Sequence, residues 1–260
     1  MSHLFYCPDI ATTCELPEEE AAHAVRVLRL TEGEEVMLTD GVGHFYKAVI
    51  AAATSKRCVV EVTETLTPSP LWKGHLHLAF APTKNMDRIE WLCEKATEIG
   101  IDELSLLDCR YSERRVVKTE RLEKILVAAM KQSLKAVKPV LNEMTPFEKF
   151  VKRPFTAQKF IAHCYSEEEL MAGSENDSDR SLSYRTTAFR PALHDVLQPG
   201  QDALVLVGPE GDFSIEEVRL ALSLGFRSVS LSGSRLRTET AALVAVHLMN
   251  IAATSAIDNL

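Results

Sequence analysis

The apolar run Leu204-Val-Leu-Val207 stops at Gly208-Pro209-Glu210-Gly211, and this junction constrains the fold more than any other feature. Four consecutive apolar residues bounded by turn formers read as a strand buried on both faces, as in a parallel sheet. A helix start follows at once, with Ser214 at the N-cap and Glu217 three positions on. Such a pair satisfies two helix-end amides reciprocally. Ile215, Val218 and Leu222 then mark one apolar face, and Gly225 supplies the stop. A short strand, Ser228 to Leu231, leads into a second loop, Leu231-Ser-Gly-Ser-Arg-Leu-Arg-Thr-Glu-Thr-Ala241. In open α/β sheets ligands sit at loops beyond the carboxyl ends of strands. These two loops leave strands joined by one helix, so they are expected to be neighbours.

The same alternation extends backwards. A strand over 75–81, a helix over 87–99 stopped by Gly100, a strand over 103–107, a basic helix over 119–136 and a strand near 159–163 predict a parallel sheet covered by helices. Residues 3–66 read differently, as short strands with turns, including a hairpin around Asp40-Gly41-Val42-Gly43 and a strand over 57–62. That pattern suggests a closed or nearly closed barrel. It is interrupted by a helix from Leu16 to Arg29, with Pro17 and Glu18–Glu20 at its start and Arg26 and Arg29 on one side. Thr67-Pro-Ser-Pro70 marks the boundary, giving domains 1–68 and 72–260. Ser166–Arg190 is poor in apolar residues, and part of it is expected to be a mobile surface loop.

The chemistry of the two loops is restricted. No Gly-Lys-Ser/Thr follows Gly208 and Gly211, and no Gly-x-Gly-x-x-Gly is present, so neither a Walker cradle nor a dinucleotide fingerprint fits. The two glycines would let backbone approach a ligand closely or adopt positive φ; a plain strand-ending turn is the alternative. In the second loop Thr238 or Thr240 would serve as a helix cap, and Glu239 would favour the helix's positive end. Neither role explains Arg235 and Arg237 there, where the dipole disfavours cations, whereas an anionic partner does.

With 260 residues, 46% of them apolar, the chain can bury a full core. No apolar run approaches the ~20 residues that span a bilayer, and the start of the chain lacks a signal-peptide pattern. The six cysteines show no paired spacing and read as reduced thiols of a cytoplasmic protein, with no metal site implied. A net charge of −8 argues against nucleic acid until its distribution is considered. Residues 110–138 hold nine Lys/Arg against three Glu, whereas residues 1–70 hold five basic and eleven acidic groups. The basic stretch is the kind of footprint phosphate needs; a solvated helix face, with Glu120 and Lys124 as an i, i+4 pair, is the plainer reading.

The motifs Val207-Gly-Pro-Glu-Gly-x-Phe-Ser-x-x-Glu217 and Leu231-Ser-x-x-x-Arg-Leu-Arg-Thr-Glu-Thr-Ala241 resemble the RsmE family. Those are S-adenosylmethionine-dependent methyltransferases of the SPOUT class that act on N3 of a uridine in small-subunit (16S) ribosomal RNA. Thr83 to Gly100, Ser112-Glu-Arg114, Gln132-Ser133 and His23-Ala-Val-Arg-Val-Leu-Arg29 with Gly33 extend the similarity over nearly the whole chain. One departure is Lys135, where that family usually has Arg; the charge survives without the planar fork. The resemblance implies a parallel-sheet SPOUT domain with a C-terminal trefoil knot, preceded by a small PUA-like β-barrel, working as a homodimer. It implies cofactor contacts around Leu206, Val207, Gly208, Gly211, Leu231, Ser232, Leu236 and Thr238, with Ala81-Pro-Thr83 bordering the same pocket. Arg26, Arg29, Arg114, Arg115 and Lys135 become candidate contacts to rRNA, free or in the 30S subunit. For chemistry, Arg237 is expected to stabilise charge on the uridine while Glu239 orients it or takes the proton; an Arg237–Glu239 pair that only braces the loop is the alternative. Rival readings are another SPOUT enzyme with a different target base, and a non-catalytic RNA-binding assembly factor.

Overall fold

The structure is a computed structural model that describes residues 3–54, 57–171 and 190–257. It divides into two compact units: Met1–Pro70 with Arg121–Pro139, and Leu71–Glu120 with Val140–Leu260.

The first unit begins with β1 (Leu4–Tyr6), α1 (Ile10–Thr13) and α2 (Glu18–Ala22), followed by a π-helical turn over His23–Val27. β2 (Glu35–Thr39), β3 (Phe45–Ala53) and β4 (Cys58–Leu66) complete a sheet of order β1-β2-β3-β4, with β1 parallel to β2 and the rest antiparallel. Register shifts in the β3–β4 ladder at Lys47/Ala48 and Ile50/Ala52 bend it, as bulges do. The segment before α2 pairs with the far edge, Leu16 N donating to Cys58 O at 2.9 Å, so the sheet curls around Phe5, Ile10, Leu38, Ile50 and Val60. The hairpin turn is held by Asp40, whose carboxylate accepts from the amides of Val42 and His44 and from Tyr46 OH. Burial alone would raise that carboxyl's pKa, but these donors together hold it below the usual value.

The second unit carries β5 (Leu76–Phe80), α3 (Met86–Ile99) and β6 (Glu103–Asp108). The chain then enters α4 (Thr119–Gln132), returning through β7 (Val140–Pro146), α5 (Phe147–Val151), β8 (Gln158–Ala162), α6 (Glu167–Met171) and α7 (Leu193–Val196). It ends with β9 (Ala203–Val207), α8 (Ile215–Ser223), β10 (Arg227–Val229) and α9 (Thr238–Ser255). The six strands form an all-parallel sheet of order β10-β8-β9-β5-β6-β7. Every residue of β5 and β9 is buried, as the apolar runs demand. The expected capping box closes α8, with Glu217 N on Ser214 Oγ and Ser214 N on Glu217 Oε2. Gly100 ends α3 at φ +125, and a Cβ there would come within 2.6 Å of Trp72 and of Asn250.

Several expectations change. β8 lies between β9 and β10, so the two motif loops leave strands that are not adjacent. β7 and the short helices α5 and α7 have no strong sequence pattern and were not expected. α4 stops at Gln132 rather than 136, because Ser133 Oγ turns back onto Ala129 O and Leu134 adopts φ +53. The helix expected over 16–29 ends at Val27, and Arg29 follows at φ +58, so Arg26 and Arg29 do not share a helical face. Of Ser166–Arg190, residues 172–189 lie outside the described residues.

Candidate active site

The carboxyl edge of the parallel sheet gathers loops from four strands in the second unit. β5 and β9 are adjacent, and Ala81 N donates to Val207 O at 3.0 Å, which sets Ala81–Thr83 beside Gly208. Glu210 Oε1 accepts from Lys84 N, while Asp212 Oδ2 accepts from Cys164 N at 2.8 Å and Phe213 O from Tyr165 OH at 2.7 Å. Glu217 Oε1 reaches Arg110 N beyond β6. The Gly208–Phe213 loop is thus tied to the ends of β5 and β8, and the α8 that follows it to the end of β6. Neither glycine adopts positive φ; that role falls to Asp212 at φ +68. Glycine is required for space instead. A Cβ on Gly208 would stand 2.9 Å from Phe213 N of the same loop, and one on Gly211 would stand 3.3 Å from Tyr111 Cβ. The tight turn accounts for Gly208 without any ligand.

The second loop, Leu231–Arg237, is exposed at Ser232, Gly233, Ser234, Arg235 and Arg237. Ser232 receives Ser230 Oγ on its carbonyl and Ser234 N on its hydroxyl. Nothing lies within 4 Å of where a side chain of Gly233 would stand. Helix α9 begins at Thr238 with Arg237 as N-cap and no side-chain cap, so neither Thr238 nor Thr240 performs the expected capping. Thr238 and Glu239 are buried. Glu239 Oε1 lies 3.4 Å from Arg88 Nη1 on α3, and its Oε2 is enclosed with no hydrogen-bond partner among the described residues. Arg88, which carried no signal beyond its place in the Thr83–Gly100 segment, is therefore the charge partner of Glu239, and the bracing pair is not Arg237–Glu239. The Arg237 guanidinium is exposed and has no partner among the described residues.

Other candidates fall into different places. Leu206 is fully buried in the core with Ala79, Ile161, Leu204 and Phe213, whereas Leu231 and Leu236 are only half-buried. Arg114 donates to the carbonyls of Thr83 (3.3 Å) and Lys84 (2.6 Å), bracing the loop after β5. Arg115 pairs with Asp108 at 2.7 Å and also donates to Arg110 O. Both arginines are thus engaged within the chain. Lys135 is buried at 8% exposure, which an open phosphate contact does not fit. Lys124 and Lys131 of α4, and Lys138 beyond its end, are also spent internally, within the first unit: on Glu19, Glu20 and Glu123 respectively. Lys124 chooses Glu19 over the expected Glu120. Arg26 and Arg29 are exposed and have no side-chain partner among the described residues.

Two cavities are present among the described residues, one away from these loops and one beside Tyr165, which contacts the first loop. One of about 180 Å³, at the amino ends of the strands, is lined by His75, His77, Glu103, Phe155 and Asp202. Burial depresses His77 there to about 4, and hydrogen bonding from His75 depresses Glu103 to about 2. The other, about 460 Å³, is lined by His163, Tyr165, Arg190, Arg219 and Ser228, and burial depresses His163 to about 3. Among the described residues no cluster of His, Cys, Asp or Glu fits a metal ion, and no helix is long and apolar enough to cross a membrane.

Comparison with known proteins assigns this arrangement. Residues 70–250 match the RNA methyltransferase domain family and residues 16–63 the RNA methyltransferase PUA domain. A Rickettsia conorii protein named ribosomal RNA small subunit methyltransferase E is 26% identical over 89% of this chain and 87% of its own. This chain belongs to the RsmE family of RNA methyltransferases. Among solved structures of similar proteins, a probable rRNA-methyltransferase from Porphyromonas gingivalis is 42% identical, with a TM-score of 0.84 over 98% of this chain and 99% of that one. A Legionella pneumophila protein solved with bound SAM is 27% identical, with a TM-score of 0.79 over 97% and 98% of the two chains. For an RsmE-family protein the fold is the expected one: a parallel-sheet methyltransferase unit preceded by a PUA-type domain. Sequence reasoning found the loops of the site but missed Arg88, the bracing by Arg114 and the left-handed Asp212.

Proposed function

We propose that the protein transfers a methyl group from S-adenosylmethionine to N3 of a uridine in 16S ribosomal RNA of the small subunit. The reading joins family membership to one observation: a buried carboxylate at the start of α9, held by Arg88 through one oxygen and with the other unpaired among the described residues. The residues present fit the cofactor. Open space at Gly233 and the exposed stretch Ser232–Arg235 offer groups to a ligand held by main chain, at the same edge of the sheet as the loop after β9. Bound there, S-adenosylmethionine supplies an electrophilic methyl on a sulfonium whose leaving thioether is neutral. The protein's tasks are then alignment and removal of water from the site.

Uridine N3 carries a proton that must leave before it is a good nucleophile. Glu239 is the assigned acceptor and Arg237 the assigned stabiliser of charge on the base; Ser232, Leu236 and Thr238 border the cofactor. Arg26 and Arg29 are assigned to rRNA phosphates, positioning without reading sequence. A homodimer is part of the reading, since Trp91 on α3 and Ile251 on α9 are large apolar side chains left 43% and 51% exposed. So are the trefoil knot at the cofactor site and action in the cytoplasm, on free rRNA or on the assembled 30S subunit.

The test is incubation of the purified protein with S-adenosylmethionine and small subunits lacking this modification, followed by mass mapping of the rRNA. One methyl on N3 of a uridine is expected. Methylation of another atom or base, or cofactor binding without transfer, would replace this reading with one of the rivals.

A further inference from the structure

Glu239 is only 8% exposed, yet its Oε2 lacks a hydrogen-bond partner among the described residues. A carboxyl oxygen left so inside a protein is costly, which calls for a partner that the isolated chain does not provide. Oε1 is held by Arg88 Nη1 at 3.4 Å. Arg88 sits in the first turn of α3 and Glu239 in the first turn of α9, and both helices start at the ligand-binding edge of the sheet.

A second, independent feature adjoins the first. Helix α9 runs 18 residues with no side-chain cap, and the amides of Thr238, Glu239 and Thr240 meet no acceptor among the described residues. These amides carry the positive end of a long helix dipole. Helix α8 of the same unit differs at its third amide, which its capping box closes. The start of α9 therefore offers one buried acceptor beside unfilled donors. Its complement is a ligand with an N–H flanked by a carbonyl. A phosphate has no N–H to give. The imide edge of uracil has both groups, and loss of its ring proton places negative charge on the carbonyl, where a helix N-terminus stabilises it.

We propose that Arg88 is the positioning residue that holds Glu239 as acceptor for the ring N–H of the target uracil, while the free amides of α9 face the flanking carbonyl. This rests on the uridine-N3 reading above. In the reaction the N3–H bond breaks and its proton passes to Glu239 Oε2. The freed N3 pair forms the bond to the methyl carbon, and the carbon–sulfur bond breaks with its pair remaining on sulfur.

The experiment is single-turnover methylation of unmodified small-subunit rRNA by wild type, Glu239→Gln, Arg88→Ala and Arg88→Lys, with calorimetric titration of each by S-adenosylmethionine. Glu239→Gln is expected to slow the chemical step by ~10²–10⁴-fold, the usual range for losing a positioned base. Arg88→Ala should slow it roughly tenfold and Arg88→Lys less, with cofactor affinity and the KM for RNA within about twofold throughout, since positioning acts on the transition state rather than on uniform binding. Retained cofactor binding also reports a folded site; should Arg88→Ala not fold, the other two variants decide. Unchanged rates overturn the inference. So does a tenfold loss of cofactor affinity at unchanged rate, which would assign the carboxylate to the cofactor's adenine amino group. Wild type that never methylates uridine sinks the functional reading itself.

Discussion

Three glycines in the two motif loops separate folding from ligand approach. At Gly208 a Cβ would meet Phe213 N at 2.9 Å, Phe213 Cδ2 at 3.1 Å and Asp212 C at 3.2 Å. Two of these are backbone atoms of a loop anchored by Glu210, Asp212 and Phe213 to the ends of β5 and β8, so no flexible side chain can swing aside. Overpacking of this kind costs ~1–3 kcal/mol. In a chain of this size ~2 kcal/mol lowers Tm by roughly 4–8 °C. Gly208→Ala should therefore melt several degrees below wild type by circular dichroism. Gly211→Ala meets only Tyr111 Cβ at 3.3 Å, and a shift of a few tenths of an ångström in that side chain keeps the cost below ~1 kcal/mol. Gly233→Ala meets nothing and its φ is not left-handed, so stability should stay within ~0.5 kcal/mol or rise slightly. Cofactor affinity should nevertheless fall severalfold in Gly233→Ala, because the methyl fills space the ligand is proposed to use. A Gly208→Ala protein with wild-type Tm would refute the steric argument. A Gly233→Ala protein with unchanged affinity would move the cofactor away from Leu231–Leu236.

Acid should unfold the chain in a defined window. His77 and His163 are nearly fully buried and depressed from 6.5 to about 4 and about 3, so the folded state excludes protons that the unfolded chain binds below pH 6.5. Their contribution is present above pH 6.5 and is lost as pH falls, by roughly 3 kcal/mol each at pH 4.5; Glu103, held near 2, adds its loss below that. Denaturant midpoints that match at pH 7 and pH 4.5 would contradict this. In the first unit, Lys131→Ala leaves Glu20 buried with neither oxygen paired, at a cost of about 2–3 kcal/mol, below the ~3–5 of fully enclosed pairs because Lys131 is partly exposed. Adding Glu20→Gln should recover part of it, and a double variant no better than the single one would argue against the pair. Raising salt from 50 to 200 mM should weaken rRNA binding by roughly tenfold or more while cofactor affinity stays level; parallel losses in fluorescence titrations would assign no phosphate contacts to the protein.

The parallel sheet was legible because its signals are local. Val205 and Leu206 have no polar neighbours in β9, Ser214 and Glu217 cap within four residues, and Gly100 stops α3 where Trp72 and Asn250 leave no room for a side chain. What stayed hidden depends on pairing between distant segments. Nothing around 158–162 says that β8 inserts between β9 and β10, and β7 alternates half-buried residues with no clean period. The site shows the same division. Loops rich in Gly and Arg can be read from sequence, but the partner of Glu239 is Arg88, 151 positions earlier, and no spacing rule connects them. Leu206 was ambiguous for a related reason: an apolar residue just before a ligand loop looks the same whether it touches a ligand or packs in the core with Phe213.

The charge pattern misled most, and its correction narrows where RNA can bind. Nine cations between 110 and 138 suggest a phosphate track, yet Lys124, Lys131 and Lys138 pair with Glu19, Glu20 and Glu123, and Arg110 and Arg115 with Glu216 and Asp108. An ion pair already formed gains little from phosphate, because binding must first break it. Lys124–Glu19 is exposed and so weak that phosphate can compete for the lysine, whereas Lys131 is mostly buried and cannot follow. The phosphate contacts of this RsmE-family protein should then fall on exposed cations without internal partners, which among the described residues include Arg26, Arg29 and Arg237. Arg26 and Arg29 leave the barrel unit at different angles because Arg29 adopts φ +58, so they suit two separate phosphates rather than one. Replacing both with Ala should lower the slope of log K against log salt by about 1.4, near 0.7 per single-strand contact, whereas replacing Lys131 should leave the slope unchanged. Equal slopes for both variants would return the basic helix to consideration as the track.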